Sequence, residues 1–325
     1  MVSDITGWTQ KTALLNALEE KMLGCRLITA AKSDNIDKRE SSLWLRYGKI
    51  PASTEAQLVR LQNRMVNVPG QRSRCGHCKK SNRSIDHLAS RCGSVLLSEY
   101  TRRHDEVLRC VHLHLCSVYG LTSIKRIRHH KMQEIVLGNG VEIRTDRCVK
   151  TAVKLTANRP DIVVKDDKRQ VILLIEVGIT SIERLQEVET TKARKYDPLR
   201  KEMELLYPGY KAVVLPFVMT WDGLCTKYHA KRWESFGLRK QIRAYTQLRT
   251  LQITLEIVLK ELGNKPIVEM SQSDPSDNDD PFCGNLEVSE LTENSKKIKL
   301  ERDQGAWSNG SVFEEEFGTK KQNIK

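Results

Sequence analysis

The chain has 325 residues, with 54 Lys and Arg against 41 Asp and Glu, and 39% of its residues are apolar. That length supports one sizeable core, or two domains with tails, and no apolar run reaches the roughly 18 residues expected of a spanning helix. The amino end lacks the apolar stretch of a signal peptide. Nine cysteines without such a signal read as reduced thiols in a cytosolic or nuclear setting, not as a disulfide framework.

In chain order, residues 1–70 read as a helical linker region. Residues 12–23 place Leu14, Leu15, Leu18 and Met22 at helical spacing, and 54–66 do the same with Leu58, Leu61 and Met65 after Pro51. Pro69-Gly70 breaks the pattern. Residues 71–120 hold a Cys/His motif followed by a helix over 95–119, with Gly120 as its stop. After an inter-domain stretch at 121–135, strand-like and helical segments alternate to residue 265. Residues 161–164 and 171–175 are short β-branched runs around the turn-like 165–169. One long helix is expected over 181–206, ended by Pro208-Gly209, then a strand over 210–217 and a helical region over 232–262. The expected fold is α/β, a small mixed sheet flanked by helices, preceded by a zinc knuckle and the helical linker.

Charge is distributed unevenly. Residues 266–325 contain 13 acids against 7 Lys and Arg, a net of −6, which leaves +19 on residues 1–265. A basic body points to a polyanion partner, because lysine and arginine gain affinity by releasing phosphate counterions. The tail, rich in Ser, Asp, Asn, Pro and Gly from about Ser271, is expected to be disordered.

The most specific motif is Cys75-x2-Cys78-x8-His87-x4-Cys92. Two cysteines two residues apart aim both thiolates at one metal from a tight turn, and His87 and Cys92 complete a tetrahedron for zinc. Arg72, Arg74, Lys79, Lys80, Arg83 and Arg91 surround it, favouring thiolates and phosphate. His77, between the cysteines, reads as a surface residue. A second group, His104, Cys110, His112, His114 and Cys116, invites another metal. On a helix His112 and Cys116 share a face while Cys110 and His114 lie on another, so core cysteines and exposed histidines are the simpler reading.

A third constellation is Arg159-Pro160-Asp161, Glu176 and Lys192-x2-Lys195-Tyr196. Phosphodiester hydrolysis uses a divalent cation held by paired carboxylates, with an ammonium near the attacking water or the developing charge. Asp161 is expected to open one strand and Glu176 to close the next, so that a hairpin brings both to one sheet end. Two residues after the second acid stands Gly178 where a lysine would be usual. Lys192 and Lys195, one turn apart on the following helix, are the replacements, and Arg194 is offset and solvated.

Together the knuckle, Arg102-Arg103-His104-Asp105 and this segment resemble the C-terminal part of site-specific non-LTR retrotransposon polyproteins, the type inserting in ribosomal RNA genes and its relatives. The stretch from Trp44 to Glu55 resembles that family's linker between polymerase and knuckle. The resemblance covers roughly residues 40–265. It implies a restriction-like endonuclease of the PD-(D/E)xK superfamily with a displaced lysine, in which Asp161 and Glu176 hold Mg²⁺, and Lys192 and Lys195 are the basic residues. It implies a nick in one DNA strand whose 3′-hydroxyl primes reverse transcription. The implied partners are DNA, element RNA and a reverse transcriptase supplied in trans, in the nucleus and without a membrane. A polymerase signature does not precede the linker, so a detached endonuclease end is expected. The rival expectations are a binding-only remnant of such a protein and a zinc-stabilised protein–protein adaptor.

Overall fold

The computed structural model describes residues 30, 32–66, 73–124 and 126–261. The helix expected over 12–23 and the acidic tail lie outside these residues. Five strands form one mixed sheet: β1 (Ile135–Gly138), β2 (Val141–Thr145), β3 (Ile162–Asp166), β4 (Val171–Thr180) and β5 (Lys211–Thr220). They lie in sequence order, antiparallel from β1 to β4, with β4 and β5 parallel.

Eight helices accompany the sheet among the described residues. They are α1 (Leu43–Tyr47), α2 (Ala52–Gln62), α3 (Ile85–Ser90), α4 (Gly93–Val118), α5 (Leu185–Lys195), α6 (Asp197–Leu206), α7 (Lys227–Ser235) and α8 (Lys240–Glu261). No helix among the described residues is long and apolar enough to cross a membrane. Helices cover the sheet on both faces, as expected of an α/β fold.

Side chains alternate across a strand, and that parity places the site. Leu173, Ile175, Val177 and Ile179 of β4 join a buried cluster with α1, α2, α4 and α8. Ile172 and Leu174 face the other way, onto Tyr196, Leu199 and Met203 at the α5–α6 junction and on α6. Glu176 and Gly178 share the parity of Ile172 and Leu174, so they face the helices that carry the lysines. The first cluster runs from Trp44 to Leu259, so the apolar core crosses the expected boundaries at residues 70 and 120.

Several elements differ from expectation for local reasons. The single helix over 181–206 is two, broken at Tyr196 (φ −106°, ψ 14°) where Pro198 enters the first turn of α6 without an amide hydrogen to donate. The helical region over 232–262 is likewise two, α7 and α8, separated by Gly237 at φ 80°. Glu176 lies in the middle of β4, not at its end, because the strand continues to Thr180 in parallel register with β5. The stretch before the third strand contains a hairpin, β1–β2, turned by Asn139-Gly140 with both residues at positive φ.

Candidate active site and metal centre

The Cys/His motif folds as a compact unit ending at the start of α4. Arg74 and Asn82 form an antiparallel bridge, and the Cys75 amide donates to the Ser81 carbonyl at 2.8 Å. Lys79, at φ 57°, turns the chain so that its amide reaches the Cys75 carbonyl. Ser84 caps α3 by accepting from the His87 amide at 3.1 Å, and Cys92 is the N-cap residue of α4.

These devices bring the donor atoms of Cys75, Cys78, His87 and Cys92 within 4.8 Å of one another. Sγ of Cys75 lies 3.7 Å from Sγ of Cys92, and Sγ of Cys78 lies 3.4 Å from Nε2 of His87. Tetrahedral zinc with its usual bond lengths has edges of about 3.8 Å between two sulfurs and about 3.5 Å between sulfur and nitrogen. The donor set fits such a metal. Backbone amides of Lys80 and Ser81 pull the Cys78 thiol below its ordinary pKa, which favours the thiolate ligand. Burial raises the Cys92 thiol and, with Arg91, lowers His87 toward its neutral, ligating form. His77 is exposed, as expected.

The second constellation assembles where β3 begins and its pairing with β4 stops, alongside the middle of β4. Ile162 pairs with Ile175, so Asp161 and Glu176 stand opposite each other on neighbouring chains. The Val177 amide donates to Asp161 Oδ2 at 2.7 Å. Lys192 and Lys195 of α5 each donate from Nζ to Glu176 Oε1 at 2.8 Å. Tyr196, at the break after α5, donates to the Arg159 carbonyl at 2.6 Å and so ties this helix to the segment leading into Asp161.

Gly178 explains the position of the lysine. A Cβ there would lie 2.7 Å from Cε and 3.0 Å from Cδ of Lys192. The missing side chain is the space through which the Lys192 stem reaches Glu176. Glycine and lysine are thus two halves of one arrangement.

His104, quoted in the sequence only as part of a motif, belongs to this group. It reaches from α4 to place Nε2 3.2 Å from Asp161 Oδ2. Burial opposes the charged forms of both partners, but the hydrogen bond and charge between them outweigh it. His104 is therefore raised above the ordinary histidine value, and Asp161 is held below the ordinary carboxylate value with help from the Val177 amide and Lys192. Burial likewise opposes the Lys195 ammonium, yet Glu176 and Tyr196 keep its pKa above that of free lysine. The neighbours of His104 have other tasks. Arg103 is buried and donates to Thr254 Oγ1 at 2.7 Å and to the Ala89 carbonyl at 2.8 Å, fixing α4 to α8 and α3. Arg102 pairs with Glu99 and Glu256.

For a divalent cation the telling atom is Glu176 Oε2, which is buried and has no hydrogen-bond partner. Its residue stands opposite Asp161, and an orphaned carboxylate oxygen is a suitable hard ligand. Asp161, Glu176 and His104 are nevertheless not drawn together as tightly as the four donors of the knuckle. Both ammonium groups sit on Glu176 instead.

The expectation of exposed histidines in the other Cys/His group is corrected. His112 and His114, on different faces of α4, are both buried, and only His104 of the three is partly accessible. His114 packs edge-on against Phe236, and His112 meets Cys116 and His130.

No protein-family model and no curated protein matches the chain. Among solved structures, the chain is similar to an N-terminal domain of a reptarenavirus L protein, at 13% identity, covering 76% of this chain and 95% of that one, with a TM-score of 0.27.

Proposed function

We propose that this chain is a metal-dependent DNA endonuclease of the PD-(D/E)xK kind, with a zinc knuckle, related to the C-terminal region of site-specific non-LTR retrotransposon proteins. The observation that carries the reading is that Asp161 and Glu176 stand opposite each other, with His104 on the first carboxylate, Lys192 and Lys195 on one oxygen of the second, and the other oxygen of Glu176 buried without a partner. Packing alone gives no reason to collect five ionisable groups there.

In this reading Asp161 and Glu176 hold Mg²⁺, which when bound polarises the phosphate and lowers the pKa of water. Asp161 is oriented by the Val177 amide and His104. Lys192, threaded over Gly178, keeps a fixed ammonium at the site to stabilise negative charge developing on the phosphate. Lys195 is more exposed, 43% against 20% for the Lys192 side chain, and is the one free to swing toward the DNA backbone.

DNA is the substrate class that the +19 body favours. A groove of about 780 Å³ has Arg144, Arg147, Lys150 and Arg159 in its lining, and does not include Asp161, Glu176 or the two lysines. Arg144 and Arg159 now pair with Glu142 and Asp146, partners that a phosphate would replace. A nuclear location and a polymerase acting in trans belong to the same proposal.

The test is conversion of supercoiled plasmid to open circles. Wild type should nick in Mg²⁺ and stop in EDTA. The binding-only reading draws on the double ion pair that occupies Glu176 Oε1. It would be favoured by tight DNA binding without nicking in Mg²⁺ or Mn²⁺.

Two variants probe the parts separately. Gly178→Ala should push Lys192 off Glu176, because the nearest atoms a Cβ would meet belong to that flexible side chain, while buried Val218, with Cγ2 at 3.3 Å, has to shift by a few tenths of an ångström. Nicking should fall about 10²-fold, the range for loss of one preorganised donor. An unchanged rate would detach Lys192 from the chemistry. Cys78→Ser should remove the knuckle zinc, worth about 10 kcal/mol or more to such units. Limited proteolysis should then cut within residues 73–92, where wild type resists.

A further inference from the structure

The buried group on α4 has a composition that core packing does not call for. His112 and Cys116 lie one helical turn apart on the same face. His130 arrives from the coil after the short turn Ile127–His129, just before β1. Nδ1 of His112 is 2.7 Å from Nε2 of His130, and Sγ of Cys116 is 3.6 Å from Nδ1 of His112. The three donor atoms all lie within 4.8 Å of one another, and all three side chains are buried.

We propose that His112, Cys116 and His130 form a second zinc site, separate from the knuckle. As a hydrogen-bonded group the three are poorly satisfied. The two imidazoles have a single hydrogen bond between them, joining Nδ1 of His112 and Nε2 of His130. Among the described residues, the side-chain hydrogen-bond partner of the thiol is His112. A metal uses the same atoms fully, taking one lone pair from each ring and one from the thiolate. The sulfur–nitrogen separation already matches a zinc tetrahedron edge of about 3.5 Å, and the two nitrogens need to part to about 3.3 Å. Two imidazoles and one thiolate are borderline-soft donors that suit zinc over magnesium or calcium. Three protein ligands leave a fourth position for water.

The site would staple the carboxyl half of α4 to the segment entering β1. Cys92 at the start of α4 is a knuckle ligand, and His104 in its middle touches Asp161. One helix thus links both metal centres to Asp161, and the second zinc fixes its direction against the sheet.

The experiment is metal content of the full chain, purified with Zn²⁺ and passed over a chelating resin. Two zinc ions per wild-type chain are expected, and one in Cys116→Ser and in His130→Asn. Because a buried variant may fold poorly, the wild type is also loaded with Co²⁺. Its thiolate-to-cobalt charge-transfer band should carry four thiolates, three from the knuckle and one from Cys116, and its tetrahedral d–d bands should report two ions. One zinc per wild-type chain, with the band of three thiolates alone, would overturn the proposal. Two zinc ions that Cys116→Ser leaves unchanged would overturn it as well, by placing the second metal elsewhere.

Discussion

Asp161→Ala is expected to abolish strand cleavage while DNA affinity stays within about twofold of wild type. The carboxylate is held ionised by His104, the Val177 amide and Lys192, so the substitution removes a full negative charge from the proposed cation site. Losing one charged group that acts in the transition state costs about 10²–10³-fold, and loss of the metal itself costs more. The Val177 amide also loses its acceptor, a penalty of about 1–3 kcal/mol if it stays buried. Asp161→Asn separates the two effects, since it keeps an oxygen for that amide and removes the charge. Single-turnover cleavage at matched DNA occupancy is the measurement. Cleavage that survives both substitutions would remove Asp161 from the active site.

Glu176→Gln is expected to lower stability as well as activity. Its side chain is only 4% exposed, and one oxygen receives both Lys192 and Lys195 at 2.8 Å. Without the negative charge, two ammonium groups face each other with only a neutral amide between them. Breaking a buried pair costs about 3–5 kcal/mol. Lys195 is 43% exposed and screened by water, so about 2–3 kcal/mol is the reasonable expectation here. Urea unfolding would measure it, and Lys192→Met in the Glu176→Gln background should restore part of the loss. A single variant as stable as wild type would mean that the ion pairs are not formed in solution.

Much of the arrangement was legible in the residues, and the failures have identifiable causes. The convergence of Cys75, Cys78, His87 and Cys92 was readable because all four lie within eighteen residues, where spacing nearly determines geometry. The opposition of Asp161 and Glu176 followed from a short hairpin, whose register is set locally. The lysines were placed by spacing on α5. The reason for their displacement, however, required the packing of Gly178 against the Lys192 stem. His104 and His130 were not legible as site residues. His104 meets Asp161 57 positions away, His130 meets His112 only after the chain has left α4 and turned back, and an isolated histidine carries no periodic signal. The burial of His112 and His114 was missed because α4 is covered along more of its circumference than a surface helix would be. By contrast, Asn139-Gly140 between two alternating segments was an available hairpin signal, and Asp197-Pro198 an available helix break.

The most direct test of the nuclease assignment combines strand cleavage with the chemistry of the ends it leaves. Full-length protein is incubated with supercoiled plasmid in Mg²⁺, and the product is offered to a DNA polymerase without any end repair. The site described here predicts open circles cut in one strand, extendable at once from a 3′-hydroxyl, with no product in EDTA. Intact plasmid in both Mg²⁺ and Mn²⁺ under conditions of full binding would contradict it, as would cut ends that cannot be extended.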